Sequence, residues 1–304
     1  MGRDSALMAA LRFLQDKYKY FAFLDCLARP FFRRNGDTAL LCLLAPPRSG
    51  STLTYQVLSS AFSGYSLRNI SNFLYATPTL GYAATKKVCR KHKSFFRSKK
   101  GFVPGLCGEA EGMKFWWYWL GQGLEQRPEK LNAERLRRLK NALDRTGEPV
   151  MMTGYLGHVF AVSALRKVFS KVLFVHLKRD LLSNAYSLLQ LTSGSVPFSI
   201  CPIDVKNRGF HSRHHLVVEQ LQGIHDIISG EYSEDMLQVN YEDLCDDTQG
   251  TLRRIAKRAE QLGIVLKQEG HVPESFPKRM VSPDKDEDAA RLEQVIRTEF
   301  AHHS

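Results

Sequence analysis

The residues best suited to chemistry lie in APPRSGST, residues 45–52, directly after the apolar run TALLCLL. A tight turn that opens a helix presents several backbone N–H groups together, and the positive end of the helix dipole adds to them. That combination grips anions. Against the phosphate-loop pattern GxxxxGK[ST], Ala45 falls at the first glycine, Gly50 at the second and Ser51 where the lysine belongs. The side-chain cation has moved to Arg48, while Thr52 keeps the hydroxyl. A loop that handles ATP needs the lysine and a magnesium-bound hydroxyl to neutralise a highly charged chain of phosphates. This loop suits an anion of lower charge, met by one fork-shaped donor.

These residues need a frame to hold them. TALLCLLA, ended by Pro-Pro, reads as a buried parallel strand, and LTYQVLSSAF as the helix behind the loop. SKVLFVHLKRD repeats the logic with a strand ending in charges, followed by the helical LLSNAYSLLQL. Arg179 stands at that strand's end and Ser187 lies two helical turns further on. PVMMTG (149–154) and DMLQVNYEDL (235–244) read as strands, with Tyr241, Glu242 and Asp243 finishing a strand and capping the next helix. LNAERLRRLKNALDR, HHLVVEQLQGIHDII and TLRRIAKRAEQLGI read as helices. The alternation predicts a single P-loop-like α/β domain of three layers. Its central, mainly parallel sheet is flanked by helices, with ligands at the carboxyl ends of the strands. The predicted limits are a helical extension over 1–37, the α/β domain over 38–266 with an insertion at 64–130, and a C-terminal segment over 267–304. Leu7, Leu11, Leu14, Tyr18 and Phe21 recur at helical spacing, so the extension is expected to be amphipathic, docked on the core or lying on a membrane surface.

A formal net charge of +12 over 304 residues directs attention to anionic partners. From Thr38 to Gly108 there is no Asp or Glu, and KKVCRKHKSFFRSKK (86–100) carries eight Lys/Arg in fifteen residues. That run is either a solvated face or a collar around an anionic substrate; no nucleic-acid-binding signature accompanies it. KFWWYW (114–119) holds all three tryptophans, as core or as the wall of a cleft for a sugar or ring. HSRHH (211–215) lacks a carboxylate or Cys at ligand spacing and reads as a polar loop before a helix, so no metal is expected. Six scattered cysteines without CxxC spacing predict reduced thiols, and no run is long enough to span a bilayer. The expected location is the cytoplasm, at its membrane face if the extension binds lipid.

PRSGSTL, a strand ending in Arg179 and Asp180, Ser187 eight residues on, and VNYEDLCDDTQGTLRRIAKRAEQLGI together resemble the sulfotransferase family. GEAEGMKFWWYWL is similar to a segment of bacterial members that act on glycans. The resemblance implies the donor 3′-phosphoadenosine 5′-phosphosulfate, used without metal. Arg48, Ser49, Gly50, Ser51 and Thr52 would hold the phosphosulfate, and Arg179 with Ser187 the 3′-phosphate. Arg48 stands where many members carry lysine. Lys278 and Arg279 are either solvated or within reach of the nucleotide. The acceptor is expected to be a hydroxyl of a glycan or glycolipid, or alternatively a small phenol or alcohol. Its proton would go to Glu111, with His158 in GYLGH the rival and Glu109 a third candidate. Arg179 with Asp180 as a surface ion pair, and Ser187 bonding back to its own helix, are the structural alternatives. Two other classes stay open on the residues alone: a small-molecule kinase, and a polyanion-binding protein without turnover.

Overall fold

The computed structural model describes residues 17–32, 36–99, 101–121, 131–191 and 212–299. Five parallel strands, β1 (Ala39–Leu44), β2 (Tyr65–Ser66), β3 (Val150–Thr153), β4 (Val172–Lys178) and β5 (Met236–Asn240), form one sheet. Their order across it is β2-β3-β1-β4-β5, with β1 in the middle. Every residue of β1 is buried because both faces of the sheet are covered. Leu40, Cys42 and Leu44 face a layer containing the helices Met113–Leu120, Ala133–Asp144, Val162–Val168 and Arg213–Gly230. Leu41 and Leu43 face the other layer, which holds Ser51–Ala61, Tyr241–Asp246 and Thr248–Gln261. This is the expected three-layer α/β fold.

The topology itself selects the site. After β1 the chain moves toward β2 at one edge, and after β4 it moves toward β5 at the other. The crevice between the carboxyl ends of β1 and β4 is therefore the switch point where open α/β sheets take ligands. The anion loop leaves β1 there, and Arg179 leaves β4 beside it. The helix Leu181–Leu189 starts at once because Asp180 accepts a hydrogen bond from the Ser183 N–H at 2.8 Å.

Several expectations are corrected. The strand at 235–244 ends at Asn240; Tyr241–Asp246 is a short helix with Glu242 and Asp243 in its first turn, where the dipole favours acids. Residues 64–130 do more than insert, since Tyr65 and Ser66 supply the edge strand β2. Not all the thiols are free: Cys89 and Cys107 form a disulfide across 18 residues. Cys89 ends the helix Pro78–Val88, and the backbone around Cys107 is hydrogen-bonded to Asn69 and Ile70, which brings the two Cα atoms to 5.3 Å. Cys26, Cys42 and Cys245 are free, and Cys201 lies outside the described residues. Of the amphipathic extension, Tyr18–Phe21 is a single 3-10 turn, followed by the helix Phe23–Ala28; Leu7, Leu11 and Leu14 lie outside the described residues. Among the described residues no helix is long and apolar enough to cross a membrane.

Candidate active site

The loop's shape comes first. Gly50 sits at φ 94° as the N-cap of Ser51–Ala61, and a Cβ there would come within 2.3 Å of the Tyr241 ring. Only glycine fits both constraints. Arg48 is left-handed too, at φ 66°, a strained conformation for a non-glycine residue. Three contacts hold it. Arg179 Nη1 donates to the Arg48 carbonyl at 2.9 Å, Asn184 Nδ2 to the Pro47 carbonyl at 2.8 Å, and Ser49 Oγ to the Pro46 carbonyl at 2.8 Å. Ser49 is buried, so its hydroxyl shapes the loop from within. The first-turn N–H groups after Gly50 have no acceptor inside the helix and define the cradle.

Charge converges on this cradle. Arg48 Nε donates to Ser187 Oγ at 3.2 Å, so Ser187 turns toward the loop and not back onto its own helix. The Arg179 guanidinium lies 5.0 Å from the centre of the Tyr241 ring, and its Nη2 donates to the Arg279 carbonyl at 2.6 Å. No ion pair joins it to Asp180, which caps the next helix. The Nε of Arg179 is buried without a partner among the described atoms. Burial, then the charges of Arg179 and Arg279, pull the Arg48 pKa down. The positive charges of Arg179 and Arg279 act on Arg48 across the cradle, an arrangement suited to an anion. Arg279 joins the site, whereas its neighbour Lys278 pairs with Asp246 at the surface at 2.7 Å.

Glu111 reaches the loop from the opposite side. Its carboxylate accepts a long hydrogen bond, 3.5 Å, from Thr52 Oγ1. Burial pushes its pKa up to about 7, against the opposing pull of the Thr52 hydroxyl and the Arg48 charge. The segment carrying it is strapped down: Ile70 N–H donates to the Leu106 carbonyl at 2.9 Å, Asn69 N–H to Gly108 at 3.0 Å and Ala110 N–H to Leu67 at 3.1 Å. Glu109, two residues earlier, meets the same helix one turn further on, at Gln56. It is buried against Arg68, with Gln56 Nε2 at 3.4 Å and His92 Nε2 at 3.5 Å. It anchors the segment and does not face the loop.

His158 is elsewhere. Its ring is fully buried, 4.4 Å from Trp116 and 5.3 Å from Tyr155 between ring centres, and burial drops its pKa to about 3. Neither ring nitrogen has a hydrogen-bond partner among the described atoms. The aromatic run divides between core and site. Phe115, Trp116 and Trp119 are buried, with Trp116 Nε1 donating to Thr153 Oγ1 at 2.7 Å. Half-buried Trp117 donates from Nε1 to the Tyr155 hydroxyl at 2.8 Å. The Tyr155 pKa is pushed up to about 12 by burial, with a contribution from the negative charge of Glu111, so Tyr155, held by Trp117, lies near that carboxylate. Sequence reasoning did not single out Tyr155, Asn184 or the stacking role of Tyr241. Only the position of Tyr155 within GYLGH could have pointed to it.

A carboxylate that titrates near neutrality, facing an arginine-lined anion cradle, can take a proton from a bound hydroxyl while charge is transferred at the cradle. The chain is similar in structure to a crystal structure of sulfotransferase STF9 from Mycobacterium avium, at 18% identity over 88% of this chain and 69% of that one, with a TM-score of 0.49. It is also similar to sulfotransferase STF1 from Mycobacterium tuberculosis H37Rv, at 14% identity over 80% and 72% of the two chains, with a TM-score of 0.48. No curated protein matches it significantly. The sequence model of the sulfotransferase family matches residues 41–262, from the first strand through the helix that follows β5, and the chain belongs to that family.

Proposed function

We propose that this sulfotransferase takes its sulfuryl group from 3′-phosphoadenosine 5′-phosphosulfate and gives it to a sugar hydroxyl of a glycan or glycolipid. The observation that carries the reading is the opposition of Glu111 to Arg48 across Thr52. When bound, the donor supplies an activated sulfuryl group on a phosphate leaving group. Arg48, the N–H groups of Gly50, Ser51 and Thr52, and the Thr52 hydroxyl would hold the phosphosulfate and meet the charge left on the leaving oxygen. A sulfuryl group in transfer carries less negative charge than a phosphoryl group, so one arginine and backbone donors suffice without a metal. Arg179, Ser187 and Arg279 form the other cationic wall and would hold the 3′-phosphate. Three guanidinium groups and an unpartnered Arg179 Nε suit a ligand with two separate anionic groups.

Glu111 would receive the proton of the acceptor hydroxyl, and Trp117 and Tyr155 would border the sugar ring. A ring bearing apolar and polar faces suits an indole beside a phenol. His158 would serve an acceptor only if its buried ring turned out of the core.

Titration calorimetry with adenosine 3′,5′-bisphosphate, followed by a screen of hydroxyl acceptors with labelled donor, tests the proposal. The bisphosphate is expected to bind equally well in excess chelator, ATP with magnesium weakly, and transfer to be fastest on sugar hydroxyls. Strict magnesium dependence of donor binding would overturn the donor assignment. Turnover of small phenols with none on sugars would overturn the acceptor.

A further inference from the structure

The disulfide isolates one closed loop, residues 89–107, and that loop has two distinct sides. Its inner side is already satisfied. Phe96 packs on Phe276 at 5.4 Å between ring centres, Val103 is buried, and the Arg97 carbonyl accepts from Gln56 Nε2 at 3.4 Å. Its outer side holds Phe95, Phe102 and Leu106 in the open, 79%, 60% and 65% exposed. Arg90, Lys91, Lys93, Arg97 and Lys99 of the same loop are exposed, and no carboxylate occurs anywhere in it. Both ends of the loop are fixed, by the bridge and by Asn69 Nδ2 donating to the Val103 and Gly105 carbonyls at 2.8 and 2.7 Å.

We infer that the outer side of loop 89–107 docks on an anionic lipid bilayer. Phe95, Phe102 and Leu106 enter the headgroup boundary while the lysines and arginines engage lipid phosphates. Mixed aromatic, aliphatic and basic side chains with no acid match that interface in both polarity and charge. Aliphatic Leu106 has no stacking face for a nucleobase, which favours lipid over nucleic acid. The loop also lies over the start of the catalytic helix. A Cβ at Gly101 would be 3.6 Å from Thr52 Oγ1, and Gln56, which holds the loop, is one turn beyond Thr52. Docking would set the acceptor side of the crevice at the membrane. The inference thus extends the glycolipid reading, but its test uses neither donor nor acceptor, so its failure would leave that reading standing.

The test is sedimentation of the full chain with vesicles of phosphatidylcholine alone or with about 30 mol% phosphatidylglycerol. Wild-type protein is expected to bind only the anionic vesicles. Lys91→Glu/Lys93→Glu should weaken binding by at least roughly 30-fold, about fivefold for each lysine contact removed. Phe95→Ser/Phe102→Ser should weaken it by at least roughly tenfold through lost apolar burial. Both variants should keep the far-UV circular dichroism spectrum and Tm of wild type, which shows that they fold. Absence of vesicle binding overturns the inference. So does binding that both variants retain, which would assign the contact to another segment such as the N-terminal one. Loss in the variants of RNA binding or of self-association, with no vesicle binding in wild type, overturns it as well.

Discussion

Glu111→Gln separates a carboxylate base from every rival, because burial sets the pH range in which Glu111, as the proposed base, would act. Burial lifts its pKa from 4.5 to about 7, while Thr52 and Arg48 pull it down. The base works only when ionised, so activity must rise with pH through that value. With one titrating group of pKa about 7, roughly a tenth of the enzyme is active at pH 6, half at pH 7 and nine-tenths at pH 8. The expected kcat/KM at pH 6 is therefore about one fifth of that at pH 7, and at pH 8 nearly twice that at pH 7. Glu111→Gln should lower turnover by about 10²–10⁴-fold and abolish this rising limb. Thr52→Val removes the largest acidifying influence, so it should move the limb to higher pH. The assay is initial-rate transfer from saturating donor across pH 5.5 to 8.5 for wild type, Glu111→Gln, Thr52→Val and His158→Asn. His158, with a pKa of about 3, would give no inflection in that range. A flat wild-type profile with full activity in Glu111→Gln and a large loss in His158→Asn refutes the assignment.

The two loop-facing arginines should fail differently: Arg48→Ala mainly in turnover, by roughly 10²–10³-fold, and Arg179→Ala mainly in bisphosphate affinity, by about 1.5–3 kcal/mol, as read by kinetics and calorimetry. Equal loss of affinity alone in both would remove Arg48 from the reacting centre. Gly50→Ala forces a Cβ to within 2.3 Å of the Tyr241 ring at φ 94°, so both bisphosphate binding and Tm should fall, the latter reflecting about 1–3 kcal/mol of strain. An unchanged affinity would mean that the loop can be rebuilt without its present shape. Buried His158, His176 and His225, with pKa values pulled down by burial to about 3, 3 and 4, remain neutral in the folded chain at pH 5 and become protonated on unfolding. Stability should therefore be full above about pH 6.5 and fall below it, by up to about 4 kcal/mol per pH unit if all three contribute. Urea unfolding at pH 5, 6 and 7 measures this, and His158→Leu should reduce the slope by about a third.

The strands that carry the site were legible because burial on both faces leaves a continuous apolar run, as in ALLCLL and VLFVHL. The end of β5 was not. Tyr241 has the propensity of a strand residue, but Glu242 and Asp243 open a helix in front of it. Edge strand β2 is two residues long and leaves no pattern to detect. Arg48 and Arg179 could be placed because each follows a strand, Ser187 because its spacing from Arg179 matched the resemblance, and the structure brings all three together. Glu111 could be placed because it follows a long stretch without acids. The Cys89–Cys107 pairing and the approach of Arg279 to Arg179 depend on tertiary contacts across 18 and 100 residues, which local pattern does not encode. Glu109 and Glu111 look equivalent in sequence; only the position of Arg68 decides which of them is consumed by an internal ion pair.

The anion loop near residue 48 is finished by parts of the chain made long afterwards. Its left-handed turn is held by Arg179, its glycine is matched to the ring of Tyr241, and its outer wall includes Arg279. A ribosome must therefore translate past residue 279 before the cradle has its final form. A growing chain has the loop's sequence early but not the cradle, and a premature stop even shortly before residue 279 leaves the third arginine unmade. Anion binding at the loop would thus report that synthesis has passed this point, which makes affinity for the proposed bisphosphate a sensitive measure of whether the chains in a preparation have closed the cradle.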